Sequence, residues 1–249
     1  MISHIDRDIS EKEMLDFFKS LPQAQASRIG LMGGWAITYL LKMRAVAHIG
    51  SRDIDVFFDP RTVSYDFISG LIRNSGFEPH STFRWAKYFH RESQAPLSFE
   101  SAKTVESFNL VTIFLDLAAP AAMEHVLCEP SLNKVFDGSA EFWTADGIQI
   151  LVPDAATMVR IKIKALPERS DSFKREKDMA DLLSMLRNIP ELWETRNGLQ
   201  LRLRQELRDS TVDALKKRVP TYSADGTISR AVESIGMSMD VGLQILNRM

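Results

Sequence analysis

Apolar residues recur at helical spacing near the start of the chain. In "ISEKEMLDFFKSL" (9–21), Met14, Leu15, Phe17, Phe18 and Leu21 fall on one stripe, which predicts an amphipathic helix. Ser10 followed by Glu13 has the spacing of a capping box at its start. "RIGLM" (28–32) is a short apolar run ended by Gly33-Gly34, which predicts a strand, a turn and then a helix over 35–46. "RDIDVFF" (52–58) predicts a second strand, closed by Asp59-Pro60, and a helix over about 62–74 ends at "NSG". Between 77 and 150 the segments "STFRWAKYFHR", "PLSFESAK", "FNLVTIFLDLA" and "GIQILV" are rich in β-branched and aromatic residues and predict strands. The helical period then returns. Pro153 or Asp154 starts a helix to about 166, "FKREKDMADLLSMLR" predicts another, and 199–218 (with Leu199, Leu201, Leu203 and Leu207) and 227–247 predict two more. The order of elements predicts an α+β chain, divided near Val152-Pro153 into residues 1–152 and a helical portion, 153–249.

One strand of this pattern is chemically unusual. Side chains alternate along a strand, so Asp53 and Asp55 project from the same side while Ile54, Val56 and Phe58 take the other. Two neighbouring carboxylates repel each other and lose hydration if covered, and a divalent cation relieves both costs. The alternative, solvated aspartates on an exposed edge strand, fits poorly with the apolar run "IDVFF". Asp116 is a lone charge in the apolar run "VTIFLDLA". Either it has a cation or hydrogen-bond partners, or it marks the strand's end and touches water. Gly33-Gly34, placed before a helix, allows backbone N–H groups to approach an anion.

Composition narrows the setting. The 249 residues are 45% hydrophobic and 26% charged, with a formal net charge of -2, so the chain as a whole has no basic footprint for nucleic acid. Local clusters remain: "VRIKIKALPERSDSFKREKDMADLL" carries Arg160, Lys162, Lys164, Arg169, Lys174, Arg175 and Lys177. Arg84, Trp85, Lys87, Tyr88, His90 and Arg91 interleave basic and aromatic residues as an RNA-stacking strip would, and as half-exposed strands also do. Trp35 is read as core or as a wall of a nucleotide pocket. The single Cys128 leaves no disulfide framework, and the five histidines lack zinc-site spacing. No run approaches the roughly 18–20 apolar residues of a membrane span. The charged N-terminus lacks a signal-peptide core, so a cytoplasmic location is expected.

"GGWA" followed by "SRDIDVFF" resembles the glycine pair and D-h-D strand of the DNA polymerase β-type nucleotidyltransferase superfamily. Within it the chain is most similar to the AbiEii-like group, on residues 28–59 and more loosely on 153–187, where "KIKA" and "KDMADL" resemble later motifs. The resemblance implies a mixed β-sheet flanked by helices, and transfer of a nucleoside monophosphate from an NTP such as ATP or GTP. It implies Mg²⁺ (or Mn²⁺) held by Asp53, Asp55 and Asp116, with Asp116 helping to activate the acceptor. Gly33, Gly34, Ser51, Lys162 and, more remotely, Asp178 would contact the nucleotide. Lys177 and Asp181 complete the K-D…D-L pattern, whereas Ile49 stands where related motifs carry arginine. The implied acceptors are tRNA or other RNA, a protein side chain, or a small molecule, and an antitoxin-type protein is an implied partner. The competing expectations are a catalytically inactive nucleotide- or RNA-binding protein on the same fold, and a helical interaction protein acting through residues 190–249.

Overall fold

The computed structural model describes residues 3–194, 199 and 209–249. Leu201, Leu203, Leu207 and the first part of the helix expected from 199 lie outside the described residues. Two compact units are present: Met1–Ala36 with Ile49–Pro153, and Ile37–His48 with Asp154–Met249. Residues 37–48, which a linear division at Val152-Pro153 places with the strands, are grouped with the helices.

The first unit holds one mixed sheet. Its strands are β1 (Ile29–Met32), β2 (Ile54–Phe58), β3 (Glu78–Ser81), β4 (Arg84–His90), β5 (Pro96–Leu97), β6 (Leu110–Ala119), β7 (Leu127–Cys128), β8 (Ala140–Ala145) and β9 (Ile148–Pro153). The main order is β3-β4-β6-β2-β1-β9-β8, with β5 beside β4 and β7 beside β6. β2 runs parallel to β6 and antiparallel to β1, while β4 runs antiparallel to β6. One face carries Ile54, Val56, Ile113, Leu115, Leu117 and Trp85, all buried. The helices α1 (His4–Lys19) and α3 (Tyr65–Asn74) lie on this side: Lys87 of β4 donates to Glu13 at 2.5 Å, and Arg73 sits 5.3 Å over the Trp85 ring. Asp55, Asp116 and Arg84 alternate with these residues and face the other way.

Several elements differ from their sequence expectation for local reasons. α1 begins five residues before Ile9, capped by Ser3, whose hydroxyl accepts from the Asp6 N–H at 3.1 Å. Ser10 is therefore internal and buried. It accepts from Trp35 Nε1 at 3.0 Å, which settles Trp35 as core. The helix α2 (Gly33–Lys42) starts on the glycine itself and stops short of 46. Ala45 turns to φ +57, and the Val46 N–H bonds back to Leu41 O at 3.0 Å, a left-handed helix stop. "PLSFESAK" yields only the short β5, because Ser98 caps a one-turn helix, α4 (Phe99–Ala102). A second such turn is α5 (Asn133–Phe136). β8 is an unforeseen strand, joined to β9 by Asp146-Gly147, both at positive φ (47° and 79°), as a two-residue hairpin turn requires.

In the second unit α6 (Ala155–Ala165) and α7 (Ser172–Asn188) are capped by Asp154 and Asp171 and pack on each other. Among the described residues three further helices follow, Asp209–Ala224, Thr227–Ser234 and Met239–Arg248. The expected single helix over 227–247 breaks at Gly236, φ +61, and Ser238 caps the next helix. No helix among the described residues is long and apolar enough to cross a membrane.

Candidate active site

Strand register assembles the acidic residues. Asp55 pairs with Asp116 across the parallel β2–β6 ladder, Met32 pairs with Asp55 across β1–β2, and Arg84 pairs with Asp116 across β4–β6. Directly paired residues share a face, so one row crosses four strands as Arg84, Asp116, Asp55 and the end of β1. The next residue after Met32 is Gly33. Its φ is +66, and a Cβ there would lie 1.9 Å from Asp55 Oδ2 and 2.6 Å from its Cγ. Backbone conformation and the carboxylate against it thus each require glycine at 33. Gly34 follows in the first turn of α2.

Asp53 joins the cluster differently from the sequence expectation. β2 begins at Ile54, and Asp53 sits on a bend just before it. The bend, not strand alternation, brings its carboxylate to within 3.9 Å of Arg84 Nη2. Side-chain exposures of 29% for Asp53, 20% for Arg84 and 12% for Asp116 show that solvent reaches this end of the sheet.

Arg84 is the residue whose role sequence reasoning missed. Its Nε and Nη2 donate to the two oxygens of Asp116 at 2.6 and 2.5 Å, a bidentate pair, and the guanidinium lies 4.6 Å over the Phe114 ring. The hydrogen bond to Asp116 raises the pKa of Arg84 against the opposing effect of burial, and the charges of Asp53 and Asp55 add to the rise. The basic–aromatic strip that included Arg84 is not a stacking platform. Trp85 and Tyr88 are buried, Lys87 is paired with Glu13, and Arg91 with Asp6.

The donor chemistry of the cluster fits a hard divalent cation. Three carboxylates face one guanidinium, which leaves two negative charges, and all the oxygens are hard ligands. Asp116, however, has both oxygens engaged by Arg84, and among the described residues no three His, Cys, Asp or Glu side chains are already grouped to hold an ion. The expected three-ligand arrangement is therefore an acidic pair, Asp53 and Asp55, beside a carboxylate held by arginine.

The remaining candidates lie elsewhere. Ser51 is fully buried, so its hydroxyl is packed inside rather than offered to solvent. Lys162 was expected to extend toward phosphate, but the second unit encloses it. Its ammonium donates to Asp178 Oδ1 and, at 2.6 Å, to Asp181 Oδ2. Arg169 Nε donates to the other Asp178 oxygen at 2.8 Å, and His48 Nε2 lies 3.0 Å from Asp181 Oδ1. A carboxylate only accepts, so His48 carries its proton on Nε2, and its Nδ1 lies 2.9 Å from the Thr38 hydroxyl. Burial alone would push the Asp181 carboxyl up. The Lys162 charge and the His48 hydrogen bond outweigh it and hold Asp181 far below the usual carboxylate range. Burial likewise opposes the charge on Lys162, and Asp178 and Asp181 raise its pKa regardless.

No protein-family model matches the chain, and no curated protein shows significant sequence similarity to it. One similar solved structure is that of an antigenic nucleotidyltransferase-like protein from Paracoccidioides brasiliensis, at 18% identity and a TM-score of 0.49 over 93% of this chain and 97% of that one.

Proposed function

We propose that the chain is a metal-dependent nucleotidyltransferase, moving a nucleoside monophosphate from an NTP to an acceptor hydroxyl or phosphate. The observation that carries this reading is the register match of Asp55 with Asp116 on adjacent parallel strands, with Gly33 closed against Asp55. Asp53 and Asp55 would hold Mg²⁺ or Mn²⁺, which when bound screens phosphate charge and fixes the α-phosphate for in-line attack. The backbone at Gly33-Gly34, at the positive end of α2, receives the triphosphate. Asp116 accepts the proton of the acceptor hydroxyl as that oxygen bonds to the α-phosphorus and pyrophosphate leaves. Lys162 and Asp178 serve in this reading as a charge pair within the helical unit, not as nucleotide ligands. The acceptor is a group on tRNA or other RNA, a protein or a small molecule.

Incubation with each labelled NTP, Mg²⁺ and mixtures of these acceptors tests the proposal. Wild type is expected to label one acceptor class, and Asp55→Ala to abolish labelling with the fold intact by circular dichroism. Labelling that persists in Asp55→Ala sinks the assignment. A second reading, a nucleotide-binding protein without catalysis, draws on the hold of Arg84 on Asp116. It predicts nucleotide binding with no labelling in wild type.

A further inference from the structure

The β4–β6 register fixes Arg84 directly opposite Asp116, so their bidentate contact does not depend on a flexible loop. The guanidinium rests on Phe114, with one edge toward Asp116 and Asp53, and remains partly solvated. Such a contact holds two carboxylates of adjacent strands, Asp55 and Asp116, against their mutual repulsion. It also uses the very oxygens that a cation shared with Asp55 would need. One guanidinium against three carboxylates leaves the cluster short of two positive charges, the charge of a divalent ion.

We propose that Arg84 is an exchangeable counter-ion, which holds Asp116 in place until a divalent cation binds beside Asp53 and Asp55 and then releases it. The inference rests on reading Asp53 and Asp55 as metal ligands. In the exchange two N–H···O hydrogen bonds break and carboxylate–cation contacts replace them, while Phe114 keeps the guanidinium at the site's edge. Arg84 is thus a positioning residue. It keeps Asp116 oriented beforehand and competes with the cation for it, and by linkage each weakens the other's hold.

The test is a Mn²⁺ titration of the full-length chain, read by electron paramagnetic resonance. Arg84→Gln removes the competitor and is expected to bind Mn²⁺ about tenfold more tightly than wild type. Its metal-free form melts lower, and Mn²⁺ raises its Tm by more than it raises that of wild type. In ¹⁵N spectra of wild type, the Arg84 Nε–H resonance, identified by its loss in Arg84→Gln, moves on saturation with Mg²⁺. If Arg84→Gln does not fold, Arg84→Lys keeps the charge but not the fork. It is expected to bind Mn²⁺ a few-fold more tightly than wild type, and unchanged affinity overturns the exchange. Equal or weaker binding by Arg84→Gln, or an unmoved Nε–H resonance, overturns the exchange and leaves the metal site standing. Failure of wild type to bind Mn²⁺, or undiminished binding by Asp55→Ala, overturns the metal site and the exchange together.

Discussion

Gly33 is where a single missing methyl group decides the site. Alanine there would need a left-handed backbone, costing about 1–3 kcal/mol, and its Cβ would drive into the Asp55 carboxylate. Gly33→Ala is expected to lower stability by roughly that amount in urea denaturation and to abolish Mn²⁺ binding. At an ordinary turn glycine the stability loss would come alone. Asp116 offers the complementary case, since Asp116→Asn keeps the shape but cannot take a proton, and it leaves Arg84 one acceptor oxygen in place of two. If it acts as the base, NTP-dependent labelling falls by about 10²–10⁴-fold with little change in KM for the NTP. Asp55, Asp116 and Gly33 stood out in the sequence because a carboxylate in an apolar strand and a glycine between strand and helix are local anomalies, whereas Asp53 stood out through a strand alternation that a bend replaces. Arg84 did not. Its meaning lies in the β4–β6 register, across 32 residues of sequence that include β5, α4 and a turn, and no local pattern encodes that pairing. His48 was hidden for the same reason, its partner Asp181 lying 133 residues away.

At the scale of elements, the start of α1 separates two similar-looking serines. Ser3→Ala removes a helix cap and should cost about 1 kcal/mol. Ser10→Ala leaves the buried Trp35 Nε1 without its acceptor and should cost about 1–3 kcal/mol. Paired denaturation curves test the order. A larger loss for Ser3→Ala would restore Ser10 to the helix end, where the S-x-x-E spacing pointed. That spacing misled because Glu13 is turned inward to Lys87, a partner from β4 rather than from its own helix. The β8–β9 hairpin shows the opposite failing. Asp-Gly is a strong two-residue turn signal, and "AEFWTADGIQILV" carries it between two strand-forming runs. Elsewhere the strand and helix types follow the apolar period, and errors gather at the ends, where caps such as Ser98 and Ser238 and left-handed turns such as Ala45 and Gly236 take over.

At the scale of the whole molecule, the buried charges of the helical unit set a pH dependence. Lys162 and Arg169 face Asp178 and Asp181, two charges against two. The folded-state pKa of Asp181 is depressed, so its contribution is complete above the unfolded value of about 4 and is lost as pH falls below it. That of Lys162 is raised, so its contribution is complete below about 10 and fades only at higher pH. Thermal melts should therefore show a plateau with an acid shoulder. Lys162→Met leaves two buried carboxylates without their shared cation and should cost about 3–5 kcal/mol at pH 7. The deficit should shrink toward pH 4 as Asp181, deprived of the Lys162 charge, takes up a proton. A deficit that is constant with pH would place the loss in packing instead.

The grouping of residues 37–48 with helices that begin at Asp154 also bears on how the chain is made. Ile37, Tyr39, Leu40 and Leu41 are fully buried in the finished protein, yet more than a hundred residues must follow them before their unit is present. At about 5–20 residues per second, that is roughly ten seconds of synthesis. During that interval an apolar segment is out on the ribosome with its partners still untranslated. The sheet can close around β1 and β2 while the segment between them waits. Newly made chains are thus most vulnerable to premature association, and most in need of a chaperone, at "AITYLL", the stretch that follows the glycine pair of the site after Trp35 alone.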